Sequence, residues 1–387
     1  MKINRIALSL TILGLTTALI TSCKKPANEA PLADTETESA VDAAWATFAL
    51  TDIEQISAFI GENQPLNHFY KDIPGSYNSS NSTGSITATR DTNGASKNIN
   101  VGFNKSWCYD GRYREGTLFW YYSYDPAYDK FVGDSKNTNA RYSHDYGHVA
   151  RLSLIDYKID GWQIDIDDTK HGLIRAVVAN LMPANYVAAS TPIKWRFVGD
   201  FTFSHPSDPA KNMSISVDLV KTLVNSGEKK IFDQNTRGAT IIWSNFYTGT
   251  STAPNPSVAT TAAYIAYTGT VSGNTSSGAK FRMVIDDAHP LIRDFTCYAD
   301  KIGGVTVTTT TAGIVPRYQE FHPFIQGIAS FTTGLTATDI TSSSKSSIYP
   351  RQIYFGNEDN DPKSTGACDN NGLVLIKGIG YKVDLKK

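Results

Sequence analysis

Residues 117–124 read Thr117-Leu118-Phe119-Trp120-Tyr121-Tyr122-Ser123-Tyr124. The stretch separates into two alternating sets. Leu118, Trp120, Tyr122 and Tyr124 fall on one side, and Thr117, Phe119, Tyr121 and Ser123 on the other. A period of two is the mark of a β-strand, whose successive side chains point to opposite faces. One face of this strand belongs in a core, where aromatic rings pack across strands. The other face is free to meet solvent or a ligand.

The same period spreads outward from this segment. Upstream, Ser85–Arg90 and Lys97–Val101 alternate around Asn93-Gly94, a strong hairpin turn. Downstream, residues 148–157 and 159–166 pair about Asp160-Gly161. Further strands are expected at 172–181, 193–204, 213–219, 239–248, 262–271, 279–286, 291–298, 303–310, 324–332, 351–356, 371–377 and 380–385, separated by Gly, Asn and Ser clusters. The expected fold is mainly β, with antiparallel hairpins and meanders forming sandwich-like lobes.

Composition agrees. The chain has 387 residues, 41% hydrophobic and 19% charged, with 20 Tyr, 17 Phe and 6 Trp against 4 Met. That supports a large core and excludes a disordered chain. A formal charge of −1 argues against nucleic acid as a partner, since such proteins carry a clustered basic excess.

The start of the chain has a different character. Lys2 and Arg5 precede an apolar stretch from Ile6 to Ile20, and Ile20-Thr21-Ser22 leads into Cys23. The run is short for a membrane span, so a cleaved export signal is expected over residues 1–22. The segment resembles the lipobox of bacterial lipoproteins. That resemblance implies cleavage before Cys23 and attachment of diacylglycerol to its sulfur. Two or more acyl chains hold a protein stably on a bilayer, which would be the partner reached through Cys23. Loss of residues 1–22 removes two basic residues and no acidic one, leaving a formal charge of −3. An Asp directly after the cysteine, the usual inner-membrane retention signal, is replaced by Lys24, which points to the outer membrane.

Residues 23–36 are polar, with two prolines, and read as a flexible tether. The segment 37–64 is the helical one. Val41, Trp45, Phe48 and Ala49 share a helical face, and Ile53, Ile56 and Ile60 continue the stripe to Gly61. Thr51-Asp52-Ile53-Glu54 fits a capping box, and one or two short helices are expected over 37–61, packed on the main domain. A mature chain of about 365 residues exceeds what one core usually serves, so two β lobes are expected, 65–228 and 229–387, divided in the polar stretch 225–238.

A family resemblance rests on several of these segments. The N-terminal helix is followed by ITATRD, by CYDGRYREGTLFWYY and by SLIDYKIDGWQI. The end carries LIRDFTC, HPFIQGIASF, YPRQIYFGN and GACDNNGLVLIKGIGYKVDL. This series resembles β-rich lipoproteins of Bacteroidetes-type bacteria. In them a Cys-x-DG-x-x-R-x-G loop, here from Cys108 to Gly116, precedes a strand. The resemblance implies location and architecture, and no activity.

Few constellations carry chemistry. Beyond Cys23 the cysteines are Cys108, Cys297 and Cys368, an odd number. A Cys297–Cys368 or Cys108–Cys368 disulfide, or three unpaired thiols, are all compatible with an exported protein. The acidic loop around Asp359 and Asp361, with Asp369 nearby, offers oxygen ligands for calcium without EF-hand spacing. The Asp165–Asp168 run reads as a solvated turn. His144 and His148 are four apart on a strand, roughly 13 Å, too far to share a metal. His205-Pro206, His289-Pro290 and His322-Pro323 read as strand-end turns. The stretch Gly273–Lys280 has a passing likeness to a phosphate-binding loop, but strands flank it on both sides and a hairpin loop is expected. No residue set with catalytic spacing occurs, and no cofactor beyond calcium is suggested.

Tyr121 and Tyr128 are the candidate glycan contacts, because aromatic faces exposed on a β-surface can stack on sugar rings. The expectation is a membrane-anchored, non-enzymatic module of the bacterial envelope that works in binding or adhesion. The partner is a glycan or an envelope protein. The competing readings are a polysaccharide-active hydrolase and a purely structural envelope component.

Overall fold

The structure is a computed structural model. It describes residues 35–61, 85–90, 98–107, 112–122, 147–167, 176–182, 194–225, 263–294, 301–302, 305–306, 324–334, 350–356 and 371–385. All the elements below belong to the unit Thr37–Lys387.

The fold is mainly β and antiparallel, with one helix near the N-terminal end of the described residues, as the alternation predicts. The helix is α1 (Glu38–Gly61). The first strands are β1 (Ser85–Arg90), β2 (Asn98–Trp107), β3 (Tyr113–Tyr122), β4 (Val149–Ile159), β5 (Trp162–Ile166), β6 (Ala176–Asn180), β7 (Lys194–Ser204) and β8 (Met213–Asn225). They continue as β9 (Ala263–Asn274), β10 (Lys280–Ile285), β11 (Leu291–Asp294), β12 (Lys301–Ile302), β13 (Val305–Thr306), β14 (Phe324–Gln326), β15 (Ile328–Thr333), β16 (Pro350–Phe355), β17 (Asn371–Ile376) and β18 (Ile379–Asp384).

Sixteen of these strands make one sheet, and β12 and β13 pair separately. The main path is β1-β2-β3-β4-β5-β7-β8-β9-β10-β15-β16-β17-β18. Two of its positions are filled by broken strands. Between β4 and β7, β6 covers one half and β5 the other. Beside β9, β10 and β11 share the length in the same way, and β14 and β15 follow them. The lobe boundary expected near 225–238 lies, beyond Asn225, outside the described residues. The strands on either side of it pair from Ser214 with Asn274 to Asn225 with Ala263.

The core lies on the inner face of this sheet. Ile99, Val101, Leu118, Trp120, Leu152, Ile215, Leu219, Phe281, Phe331, Ile353 and Val374 are buried there. Against them lies α1, which touches β1, β2 and β3 on one part of the path and β9 and β10 on another. Every residue from Ser39 to Ile56 is buried except the partly buried Val41. A helix covered all round must satisfy its polar groups internally.

This corrects the reading of Thr51–Glu54 as a capping box. α1 runs unbroken through that point. The Thr51 hydroxyl donates back to Thr47 O at 2.9 Å and Phe48 O at 3.0 Å, and the Thr47 hydroxyl donates to Ala43 O at 2.7 Å. Asp52 and Glu54 are engaged with cations on the sheet instead of with backbone amides at a helix start.

Turn chemistry sets the register. Asp160 and Gly161 both adopt positive φ, 51° and 87°, the two-residue turn that matches the twist of the β4–β5 hairpin. Gly116 sits at φ 86° where β3 meets a bulge of β4, and a Cβ there would lie 2.2 Å from Asp156 O. The Gly273–Lys280 stretch is a hairpin loop, as expected. Asn274 pairs with Lys280, and Thr275 N donates to Ala279 O at 2.9 Å.

Candidate functional site: an aromatic platform on the outer face

The two faces of β3 do different work. Inward, Leu118, Trp120 and Tyr122 are buried. Outward, Phe119 and Tyr121 are half-buried, with nearly parallel rings, 13° apart, and centroids 6.4 Å apart. The strand's pleat places them two residues apart on one face. Register then builds the surroundings. Asn98 of β2 lies opposite Tyr121, and Arg151 of β4 lies opposite it on the other side. Asn100 and Ser153 flank Phe119 in the same way, and Thr89 of β1 stands beside Asn100. The Arg151 guanidinium lies over the Tyr121 ring, 5.3 Å from its centroid.

The arrangement offers two nearly parallel aromatic rings, a guanidinium over one of them and a border of amides and hydroxyls. The rings carry negative faces that attract polarised C–H groups, while Asn and Ser side chains both donate and accept. Such a set can hold a polyol ring by stacking and hydrogen bonding. It presents no acid–base pair.

The inner face carries charges of a different kind. Asp52 accepts from Arg114 Nη2 at 2.7 Å and from Arg293 Nη2 at 3.2 Å, all three buried. Lys221 Nζ meets Glu54 Oε1 at 2.5 Å and lies 4.5 Å from the centroid of the Trp195 ring. Ser276 N and Oγ both donate to Asp42 Oδ2, at 2.7 and 2.6 Å. The Arg112 guanidinium packs over Trp45 and Phe48, at 4.7 and 4.4 Å, and pairs with Asp160 at 2.5 Å. Burial alone would push the Asp52 carboxyl up. The charges and hydrogen bonds of Arg114 and Arg293 outweigh it and hold the carboxyl below the ordinary aspartate value. Tyr267 is pushed well above the ordinary phenol value by burial, with the Glu54 and Asp52 charges adding to it. These groups tie α1 to β3, β8, β11 and the β9–β10 loop.

Two residues of the Cys108–Gly116 pattern thereby acquire roles in the fold. Arg114 anchors α1 through Asp52, and Gly116 admits the β4 bulge.

Of the sequence candidates, Tyr121 is the one placed among the described residues, on the outer face. Tyr128, Cys23, Cys108, Cys297, Cys368, Asp359, Asp361 and Asp369 lie outside them. No group of three or more His, Cys, Asp or Glu side chains suited to a metal occurs among the described residues. His205 is at a strand-end turn as expected, and its Nδ1 accepts from Ser207 N at 3.2 Å and Asp208 N at 3.0 Å. His289 occupies a comparable turn, where Asp286 Oδ1 accepts from Ala288 N and His289 N. No helix among the described residues is long and apolar enough to cross a membrane.

The sequence reading did not single out Phe119, Arg151, Asn98 or Asn100. Phe119 was visible as the residue that shares the parity of Tyr121. The other three needed the cross-strand register. No family model, no curated protein and no solved structure matches this chain.

Proposed function

We propose that the chain is a lipid-anchored module of the bacterial envelope that binds glycan on the outer face of β2–β4. The observation that carries the binding part is the outward Phe119–Tyr121 pair with Arg151 over it. Aromatic rings left half-exposed, beside amides and a guanidinium, suit a polar ring with one apolar face. The inner charges support a non-enzymatic reading. Asp52 and Glu54 are committed to ion pairs that hold the helix, which leaves them poorly placed to trade protons with a substrate.

The anchoring part rests on the Lys2–Cys23 segment and on the likeness of the chain to β-rich lipoproteins. Lipid on Cys23 would concentrate the module at a membrane, and the outer membrane is the reading that Lys24 favours.

Two experiments test the proposal. Mass spectrometry of the native N-terminus should find Cys23 as the first residue, carrying acyl mass; an unmodified first segment contradicts the anchor. The soluble body on a glycan array should bind at least one glycan class, and Tyr121→Ala should weaken that binding. An array with no binder refutes the glycan reading and leaves assembly with an envelope protein as the better account.

A further inference from the structure

A second feature of the outer face lies on β15, β16 and β17. Ser330, Gln352 and Leu375 stand in one row across the three strands. With Thr332 and Lys377 they line a shallow, open cavity of about 320 Å³. Tyr354 Oη donates to Gln352 Oε1 at 3.3 Å, which orients the amide. The lining therefore combines two hydroxyls, an amide and a leucine side chain with an ammonium group. Among the eight lining residues, Arg351 and Lys377 are cationic and none is acidic.

The backbone at Lys377 adds an independent observation. Lys377 and Gly378 form the two-residue turn between β17 and β18, with φ 50° and 84°. The first position of such a turn favours Asn, Asp or Gly, because other side chains are strained at positive φ. The comparable turn at Asp160-Gly161 follows that preference, and Lys377-Gly378 does not. A side chain set against local propensity at the lip of a cavity points to a use for that side chain. A Cβ built on Gly378 meets nothing within 4 Å, so the lip is open on that side.

We infer that this cavity binds an acidic sugar residue, a hexuronate, with Lys377 recognising its carboxylate. Ser330, Thr332 and Gln352 hydrogen-bond the ring hydroxyls, and Leu375 meets its apolar face. The inference rests on the glycan reading above and names an acidic class of ligand for it.

The test uses D-galacturonate and D-galactose as probes, followed by backbone amide shifts and by calorimetry, on the wild type, Lys377→Asn and Lys377→Arg. Galacturonate should shift the amides of Ser330, Thr332 and Gln352 saturably, and galactose should bind about tenfold more weakly. Lys377→Asn should raise Tm by about 1–2 °C through relief of the turn. The same substitution should erase the preference for galacturonate, and Lys377→Arg should keep it. Equal binding of the two sugars overturns the inference, as does a preference that survives in Lys377→Asn or the absence of saturable shifts at these amides. Tyr121→Ala separates this result from the platform. Galacturonate binding at Ser330–Gln352 should persist in it, and array binding lost in Tyr121→Ala with no saturable galacturonate shifts at Ser330, Thr332 and Gln352 in the wild type would uphold the platform while removing the cavity.

Discussion

Arginine meets aromatic rings on both faces of the sheet, and the two meetings differ in kind. On the inner face Arg112 packs over Trp45 and Phe48, fully buried and paired with Asp160. On the outer face Arg151 lies over Tyr121, and both remain half-buried. The chemistry of each contact is the same, a cation over a π-face. Burial changes its consequence. Inside, removing one member strands charge in a medium that cannot solvate it. Outside, water replaces what is removed, and the ring and guanidinium stay within reach of a ligand. The inner assembly should therefore govern stability, and the outer one binding.

The largest effect should come from breaking the inner network at its centre. Asp52→Ala leaves Arg114 and Arg293 facing each other without their shared carboxylate. It should cost about 3–5 kcal/mol in urea unfolding. A cost below about 1 kcal/mol would mean that the network is solvated and the contrast between faces is overdrawn. Next comes Gly116→Ala, which forces a Cβ against Asp156 O at positive φ; the expected loss is at least about 1–2 kcal/mol.

Acid sharpens the contrast further. The Asp52 carboxyl is held below its ordinary value in the folded state, so its contribution is fully present above the unfolded aspartate value of about 3.9. It is lost as pH falls through the lower folded value. Stability followed by circular dichroism should decline below about pH 4, and Asp52→Asn should flatten that decline. Tyr267 acts at the other end. Its folded value lies above that of the unfolded phenol, so stability should fall as pH rises past about 10, and Tyr267→Phe should reduce the fall. The smallest stability effect belongs to the outer face, where Tyr121→Ala should cost about 1 kcal/mol through its contacts with Phe119 and Arg151.

Much of the sheet was legible because alternation survives wherever one face is buried. The β4–β5 hairpin around Asp160-Gly161 and the β9–β10 loop at Gly273–Lys280 could both be read from turn residues and period. Parity grouped Tyr121 with Phe119 on one side of the strand, and only the packing of β3 decided that this side faces out. The helix was harder to read. Thr51-x-x-Glu54 matches a capping box, but the pattern has that meaning only where a helix begins, and Ala43–Ala49 carries α1 straight through. Its all-round burial was hidden because Asp42, Asp52 and Glu54 look like solvated positions until their partners are known. A trace of those partners exists in the chain. Lys221 shares inner parity with Ile215, Val217 and Leu219, a lysine where an apolar residue is due. Arg151 could not be paired with Tyr121 in advance, since residues 123–148 intervene and the β3–β4 register is needed to bring them together.

The most direct test of the account measures the two faces in one experiment. Equilibrium titration against the strongest array ligand is run on wild type, Tyr121→Ala and Asp52→Ala, beside urea unfolding of each. Tyr121→Ala should lose about tenfold in affinity with a urea midpoint lowered far less than by Asp52→Ala. Asp52→Ala should drop the midpoint while the folded fraction keeps its affinity. Wild-type affinity in folded Tyr121→Ala would contradict the claim that the outer aromatic face binds.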